Sequence, residues 1–315
     1  MYFKKVNGFK TRLIKAKGAF KLPTYKTTGD DSFIFGLVGG IRNAGKSNTT
    51  LVLLENEKDI VLSGEAKVYF VSPTVDAKVK GFAEKYPENF EIYDELNRNN
   101  LTEIFDEMKS RIDEWQELKD VIDIYHRAEK GEELMPNEEE LLITYNFLDG
   151  FDFKAFNHDH PPTNTLVIDD SMSSPMLSSP QSKDGKWFVK FACKHRHYPY
   201  MTNLIFLTQH IKQISRVLRV NCNLVVVFPF RDASIYHSVF QEYSTLFKNK
   251  IDNFLDLMEN IEARNNHSHA TIYYDKKRFV RVGWDEEVRF GDDESREGVP
   301  VCPCDTNVVV PPAGS

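Results

Sequence analysis

Gly40-Ile41-Arg42-Asn43-Ala44-Gly45-Lys46-Ser47 fits the phosphate-binding loop pattern G-x-x-x-x-G-K-[ST]. Glycines let the backbone approach an anion closely. Loop amides at a helix N-terminus then form a site for β- and γ-phosphates. In that chemistry Gly40, Asn43, Ala44, Gly45 and Asn48 line the nucleotide, Lys46 neutralises phosphate charge and the Ser47 hydroxyl ligates Mg²⁺. A second group of candidates is Ile168-Asp169-Asp170, where an apolar run ends in two carboxylates. Asp169 would hold the metal, and Asp170 would orient or deprotonate the attacking water. Gln209 ends another apolar run with an amide that could touch the γ-phosphate or that water. Arg196, in His195-Arg196-His197, could stabilise a transferring phosphoryl group from a neighbouring subunit, with Arg216 and Arg219 as rivals, and each of the three could instead be a surface ion-pair residue.

The elements around these residues are those such chemistry needs. Phe33-Ile34-Phe35-Gly36-Leu37-Val38 reads as a buried strand before the loop, and Asn48-Thr49-Thr50-Leu51 as the helix after it. Residues 67–73, 165–170, 203–209 and 224–228 are further apolar runs, separated by helical patterns. That alternation predicts an α/β fold with a mostly parallel sheet buried on both faces. Residues 90–93 predict a short strand, 76–86 a helix, 233–264 two helices, and 271–274 and 279–282 two closing strands. Between 98 and 160 the pattern predicts a helical insertion. Asn100 reads as its cap, with Glu103 three residues on, and Leu101, Ile104, Phe105, Met108, Ile112 and Trp115 follow at helical spacing. Another helix is expected over 138–148 after Pro136, a Ser/Pro-rich mobile loop over 171–182, and a helix near 187–194.

The 315 residues divide into a basic arm (1–30), an ATPase-sized body (31–285) and an acidic, then Pro/Val-rich tail (286–315) with no packing pattern. Net charge is −7, so the chain as a whole is no nucleic-acid sponge. Residues 1–26 nevertheless hold Lys4, Lys5, Lys10, Arg12, Lys15, Lys17, Lys21 and Lys26 with no acid, which suits DNA, RNA, an acidic protein surface or plain solvation. Cys193, Cys222, Cys302 and Cys304 make no disulfide framework at this size and no zinc pattern, so a reducing compartment is expected. No apolar run nears membrane-spanning length and the basic N-terminus has no apolar segment, so a soluble chain without a secretory signal is expected. Asn249-Lys250-Ile251-Asp252 copies the guanine-reading N-K-x-D, but no apolar strand precedes it and no D-x-x-G follows the acidic pair, so a GTPase is rejected. His158 and His160, like His267 and His269, lack a third ligand at sensible spacing and read as surface-loop residues.

Taken in order, residues 40–47, Val71-Ser72-Pro73-Thr74, Ile168-Asp169-Asp170, Arg196-His197, Gln209 and Arg219-Val220-Asn221 resemble the FtsK/HerA-type genome-packaging ATPases of double-stranded DNA viruses, over roughly residues 33–285. These include the enzymes of poxviruses, giant viruses, virophages and polinton-like elements. The resemblance implies a RecA-like P-loop fold, with ATP and Mg²⁺ on Lys46, Ser47 and Asp169. It makes Asp170 the catalytic carboxylate, Gln209 the γ-phosphate sensor and Arg196 the finger given to a neighbour. Cellular relatives usually carry Glu in place of Asp170. The implied function is a ring of five or six subunits that drives double-stranded DNA into a preformed capsid at the site of virion assembly, in the host cytoplasm or nucleus, with a capsid or portal-vertex protein as partner. A translocase or helicase of a plasmid or mobile element, a nucleoside or nucleotide kinase, and a non-catalytic ATP-binding scaffold stand as alternatives.

Overall fold

The structure, a computed structural model, describes residues 23–145, 147, 160–171, 174–265 and 267–290. Its first strand is Phe35–Gly39 (β1), followed by helices Lys46–Asn56 (α1) and Lys58–Val61 (α2). Lys67–Val71 (β2), Ala77–Lys85 (α3) and Phe90–Tyr93 (β3) come next, then Arg98–Glu129 (α4) and Pro136–Thr144 (α5). Asn164–Asp169 (β4), Pro175–Ser178 (α6), Lys183–Ala192 (α7) and Thr202–Thr208 (β5) lead through Arg216–Arg219 (α8) to Leu224–Val227 (β6). Ala233–Tyr243 (α9), Ile251–Arg264 (α10), Ala270–Tyr274 (β7), Arg278–Val282 (β8) and Glu286–Glu287 (β9) complete the order.

The nine strands form one sheet in the order β3-β2-β4-β5-β1-β6-β7-β8-β9. From β3 to β6 every pairing is parallel, and β7 to β9 add antiparallel at one edge. Strands β1, β4, β5 and β6 are buried along their whole length, which is why they read as unbroken apolar runs. Period-two alternation sorts them between two cores. Leu37, Ile168, Phe206 and Val227 face one core with α4, α6, α7, α9 and α10. Val38, Val167, Leu207 and Val226 face the other with α1 and α3.

The predicted insertion is the helical pair α4–α5. Leu101, Ile104, Phe105 and Met108 lie in the main core, whereas Val121 and Ile122 leave it to make a small cluster with Leu142 and Phe147. The cap is Asn97, whose side chain accepts from the Asn100 amide, so Asn100 stands inside the helix, not at its start. Both asparagines can cap; Asn97 wins because its backbone is extended while residue 98 is already helical.

Three further expectations need correction. The segment 171–182 contains α6, and Met176 and Leu177 are buried in the core. The body runs beyond 285, since β9 pairs with β8 and Val288 and Phe290 pack on the core. The basic arm ends before residue 30: Tyr25 is buried with its hydroxyl donating to Asn203, the Lys26 and Thr27 amides donate to Glu57, and the Lys26 ammonium pairs with Asp59. Residues 1–22 and 291–315, including Cys302 and Cys304, lie outside the described residues, as do His158 and Asp159.

Candidate nucleotide site

The loop leaves β1 at Gly40, whose amide donates to the Thr208 carbonyl at the end of β5. A Cβ on Gly40 would stand 2.8 Å from the Phe228 Cβ, so that position admits only glycine. Asn43 and Gly45 have φ of 64° and 108°, and the second is a left-handed cap from which α1 starts. These turns bring the loop backbone back over the N-terminus of α1, where unpaired amides and the helix dipole favour an anion. Lys46 folds across the loop, donating to the Gly40 carbonyl at 3.0 Å and the Ile41 carbonyl at 3.1 Å. Burial lowers its ammonium pKa, against the pull of Asp169 and Asp170.

Ser47, on the first turn of α1, donates to Asp169 at 3.2 Å. Asp169 closes β4 and is only 8% exposed. Burial pushes its carboxyl up to about 6, even though the Ser47 hydroxyl and Lys46 pull it down and Asp170 and Asp76 push with it. Asp170 turns out of the strand with φ of 48°, a left-handed backbone uncommon outside glycine. Its exposed carboxylate accepts from the Gln209 amide at 3.1 and 3.3 Å. These contacts follow from the sheet order: β5 lies between β1 and β4, so Gln209 emerges between the loop and the acids.

Not every candidate joins this group. Asn48 is exposed and accepts from Lys78 on α3. Arg196 lies exposed at the other end of the sheet, lining a cleft of about 640 Å³ with Phe35, His195 and Asn223, all near strand beginnings. It therefore does not reach this chain's own phosphate loop. Arg219 is no free finger, because it pairs with Glu242 at 3.0 Å and donates to the Ile214 carbonyl at 2.9 Å. Arg216 is exposed beside Ser238 and Gln241. The N-K-x-D copy follows a 3₁₀ turn, Ser244–Phe247, as its rejection requires.

Three residues at or beside the site had no signal in the motifs. Asp76, after β2, is close enough to act on Asp169. His267 is exposed, as a surface-loop histidine is expected to be, yet its Nδ1 lies 3.1 Å from the Ala44 carbonyl oxygen; His269 is buried, which corrects its surface reading. Only the antiparallel addition of β7 beside β6 brings them there.

The residues present suit a magnesium ion. Ser47 Oγ and the Asp169 carboxylate are neighbouring oxygen donors 3.2 Å apart, and burial outweighs the pull of Lys46 on that carboxylate. Among the described residues, no group of three or more His, Cys, Asp or Glu could hold a metal ion.

The sheet order, with an added strand between the loop strand and the acid strand, and the loop geometry together define a RecA-like P-loop NTPase fold. No family model and no curated protein matches the chain. Among solved structures, it is similar to the genome packaging NTPase B204 of Sulfolobus turreted icosahedral virus 2, at 12% identity, a TM-score of 0.42, and coverage of 80% of this chain and 96% of that one. The DNA-packaging ATPase B204 of Sulfolobus turreted icosahedral virus is similar at 11% identity and a TM-score of 0.45, over 79% and 95%. EssC (ATPases 2 and 3) of Geobacillus thermodenitrificans is similar at 14% identity and a TM-score of 0.39, over 63% and 32%.

Proposed function

We propose that this chain is an ATP-hydrolysing motor that moves double-stranded DNA into a viral capsid. The observation that carries the reading is the meeting of Ser47 with Asp169 while Gln209 holds Asp170. A phosphate cradle, a metal-side acid, a second acid and an amide thus surround one space. In this reading the amides of residues 43–47 bind the β- and γ-phosphates, and Lys46 exchanges its two loop carbonyls for phosphate oxygens. Asp170 takes a proton from water as the water oxygen bonds to the γ-phosphorus and the bond to the bridging oxygen breaks, leaving ADP and phosphate. Gln209 keeps that water in line. Ser47 and Asp169 would hold Mg²⁺, which when bound neutralises charge on the β- and γ-oxygens.

Arg196 supports assembly as a ring of five or six subunits. It is exposed, carries no hydrogen bond or ion pair among the described residues, and lies at the far end of the sheet from its own loop, so a phosphate it serves belongs to another subunit. DNA contacts would be to phosphates, hence sequence-tolerant and salt-sensitive. A capsid or portal-vertex partner completes the proposal.

The test is ATP turnover with and without long duplex DNA, and with nucleosides, alongside the mass of the assembly. Turnover stimulated by duplex DNA, falling steeply as salt rises, with a ring mass, is expected. Absence of turnover, or stimulation by nucleosides instead of DNA, would overturn the proposal.

A further inference from the structure

We infer that His267 is a positioning residue for the phosphate loop, fixing the direction in which the Gly45 amide points. The inference deepens the nucleotide-binding reading above and rests on it. His267 Nδ1 lies 3.1 Å from the Ala44 carbonyl oxygen. A carbonyl only accepts, so Nδ1 carries the hydrogen. Across a trans peptide the C=O of one residue and the N–H of the next point in opposite directions. Holding the Ala44 oxygen toward His267 therefore holds the Gly45 N–H away from His267, on the other side of that peptide.

The geometry around this contact is built. The ring also closes the side of the loop where a Gly45 side chain would stand: a Cβ there would meet Nδ1 at 3.3 Å. His267 is itself tied down, its amide donating to Asn265 Oδ1 at 2.8 Å. Its carbonyl accepts from Nδ1 of His269 at 3.4 Å. His269 is buried, its ring 5.0 Å from Phe228 and 5.5 Å from Trp284. Phe228 is the side chain that packs beneath Gly40. The brace comes from the turn that enters β7, beyond β6, whereas Asp169 and Gln209 stand at the ends of β4 and β5 on the other side of β1. The loop is thus held on its backbone from both flanks, at Gly40 by the Thr208 carbonyl at the end of β5 and at Ala44 by His267.

The experiment compares the full chain with His267→Ala, His267→Asn and Lys46→Ala. Calorimetric affinity for a non-hydrolysable ATP analogue, steady-state kinetics and melting temperature are read for each. In asparagine the amide nitrogen is two bonds from Cβ, as Nδ1 is in histidine, so it can keep the contact. His267→Ala is expected to weaken the analogue three- to tenfold, the worth of about one hydrogen bond. KM should rise in step while kcat stays within twofold, because the bond serves substrate and transition state alike. His267→Asn should restore affinity to within twofold of the native chain, with melting temperatures unchanged throughout. Native affinity in His267→Ala, or equal losses in Ala and Asn with lowered melting temperature, would overturn the inference while analogue binding that Lys46→Ala abolishes upholds the nucleotide site. A native chain that binds no analogue would overturn both.

Discussion

At the residue scale the site stores an electrostatic conflict. Asp169 must be ionised to serve a cation, yet burial pushes its carboxyl up to about 6. The sign follows from linkage: the folded state holds this proton more tightly than the unfolded chain does. Its contribution to stability is therefore present at pH 4 and is lost as pH rises through about 6. A displacement of about two pH units corresponds to up to about 3 kcal/mol. Asp169→Asn, neutral and nearly isosteric, should then raise the melting temperature of the nucleotide-free protein at pH 7.5, while turnover disappears. It should also flatten the stability profile between about pH 4 and pH 6; thermal melts across that range would show an unchanged slope if the carboxylate were not the source. Lys46→Ala should leave the fold intact and lower ATP turnover by about two to three orders of magnitude, the usual loss for one preorganised charge-stabilising donor. Activity near the native level would remove the phosphate-loop assignment. Residues 40–47, the acidic pair and Gln209 were legible in sequence because each ends an apolar strand, and strand ends are local features. His267 was not, since its approach to Ala44 depends on a strand pairing that no local pattern encodes.

At the element scale, the helical pattern of 98–129 revealed the insertion, but its first turn was misplaced by three residues. Asn97 and Asn100 carry the same side chain, and only the backbone at 97 decides between them. Asn97→Ala should cost about 1 kcal/mol of stability, whereas Asn100→Ala should cost less, its side chain making one exposed bond to the Glu95 carbonyl. Urea titrations of the two variants would rank them, and an equal or reversed order would contradict the cap. The 171–182 segment was misjudged because serine and proline counts hide Met176 and Leu177, two apolar residues that fill the space between α7 and the sheet. Arg219 proves an ion-pair residue, one of its two readings, but a lone arginine in sequence gives no sign of its partner Glu242, 23 residues on.

For the whole molecule, the sheet separates two ends. The phosphate loop, the acids and Gln209 share one, and Arg196 stands at the other. If Arg196 serves a neighbour, Arg196→Ala subunits should regain turnover when mixed with Asp170→Asn subunits, since one intact interface then forms from two defective chains. Lack of complementation at every mixing ratio would return Arg196 to a local role at its own cleft. No helix among the described residues is long and apolar enough to cross a membrane. The sequence foretold the mostly parallel sheet well, because strands buried on both faces advertise themselves as continuous apolar runs. It foretold β7 and β8 at the C-terminal edge as well, but not β9, where Glu286 and Glu287 pair with Val282 and Arg281 of β8.

The place of β5 sets how this protein can tolerate changes of length. Thr208 lies opposite Gly39, and Leu207 opposite Asp169. Adding or deleting one residue within that strand would rotate every following side chain to the other face and carry Gln209 off Asp170. The turn at Lys130 and Gly131, between α4 and α5, has no partner in the sheet and can lengthen without moving a single atom of the site. Lineages of this chain should therefore vary in size between those two helices and keep a constant count from residue 202 to residue 209.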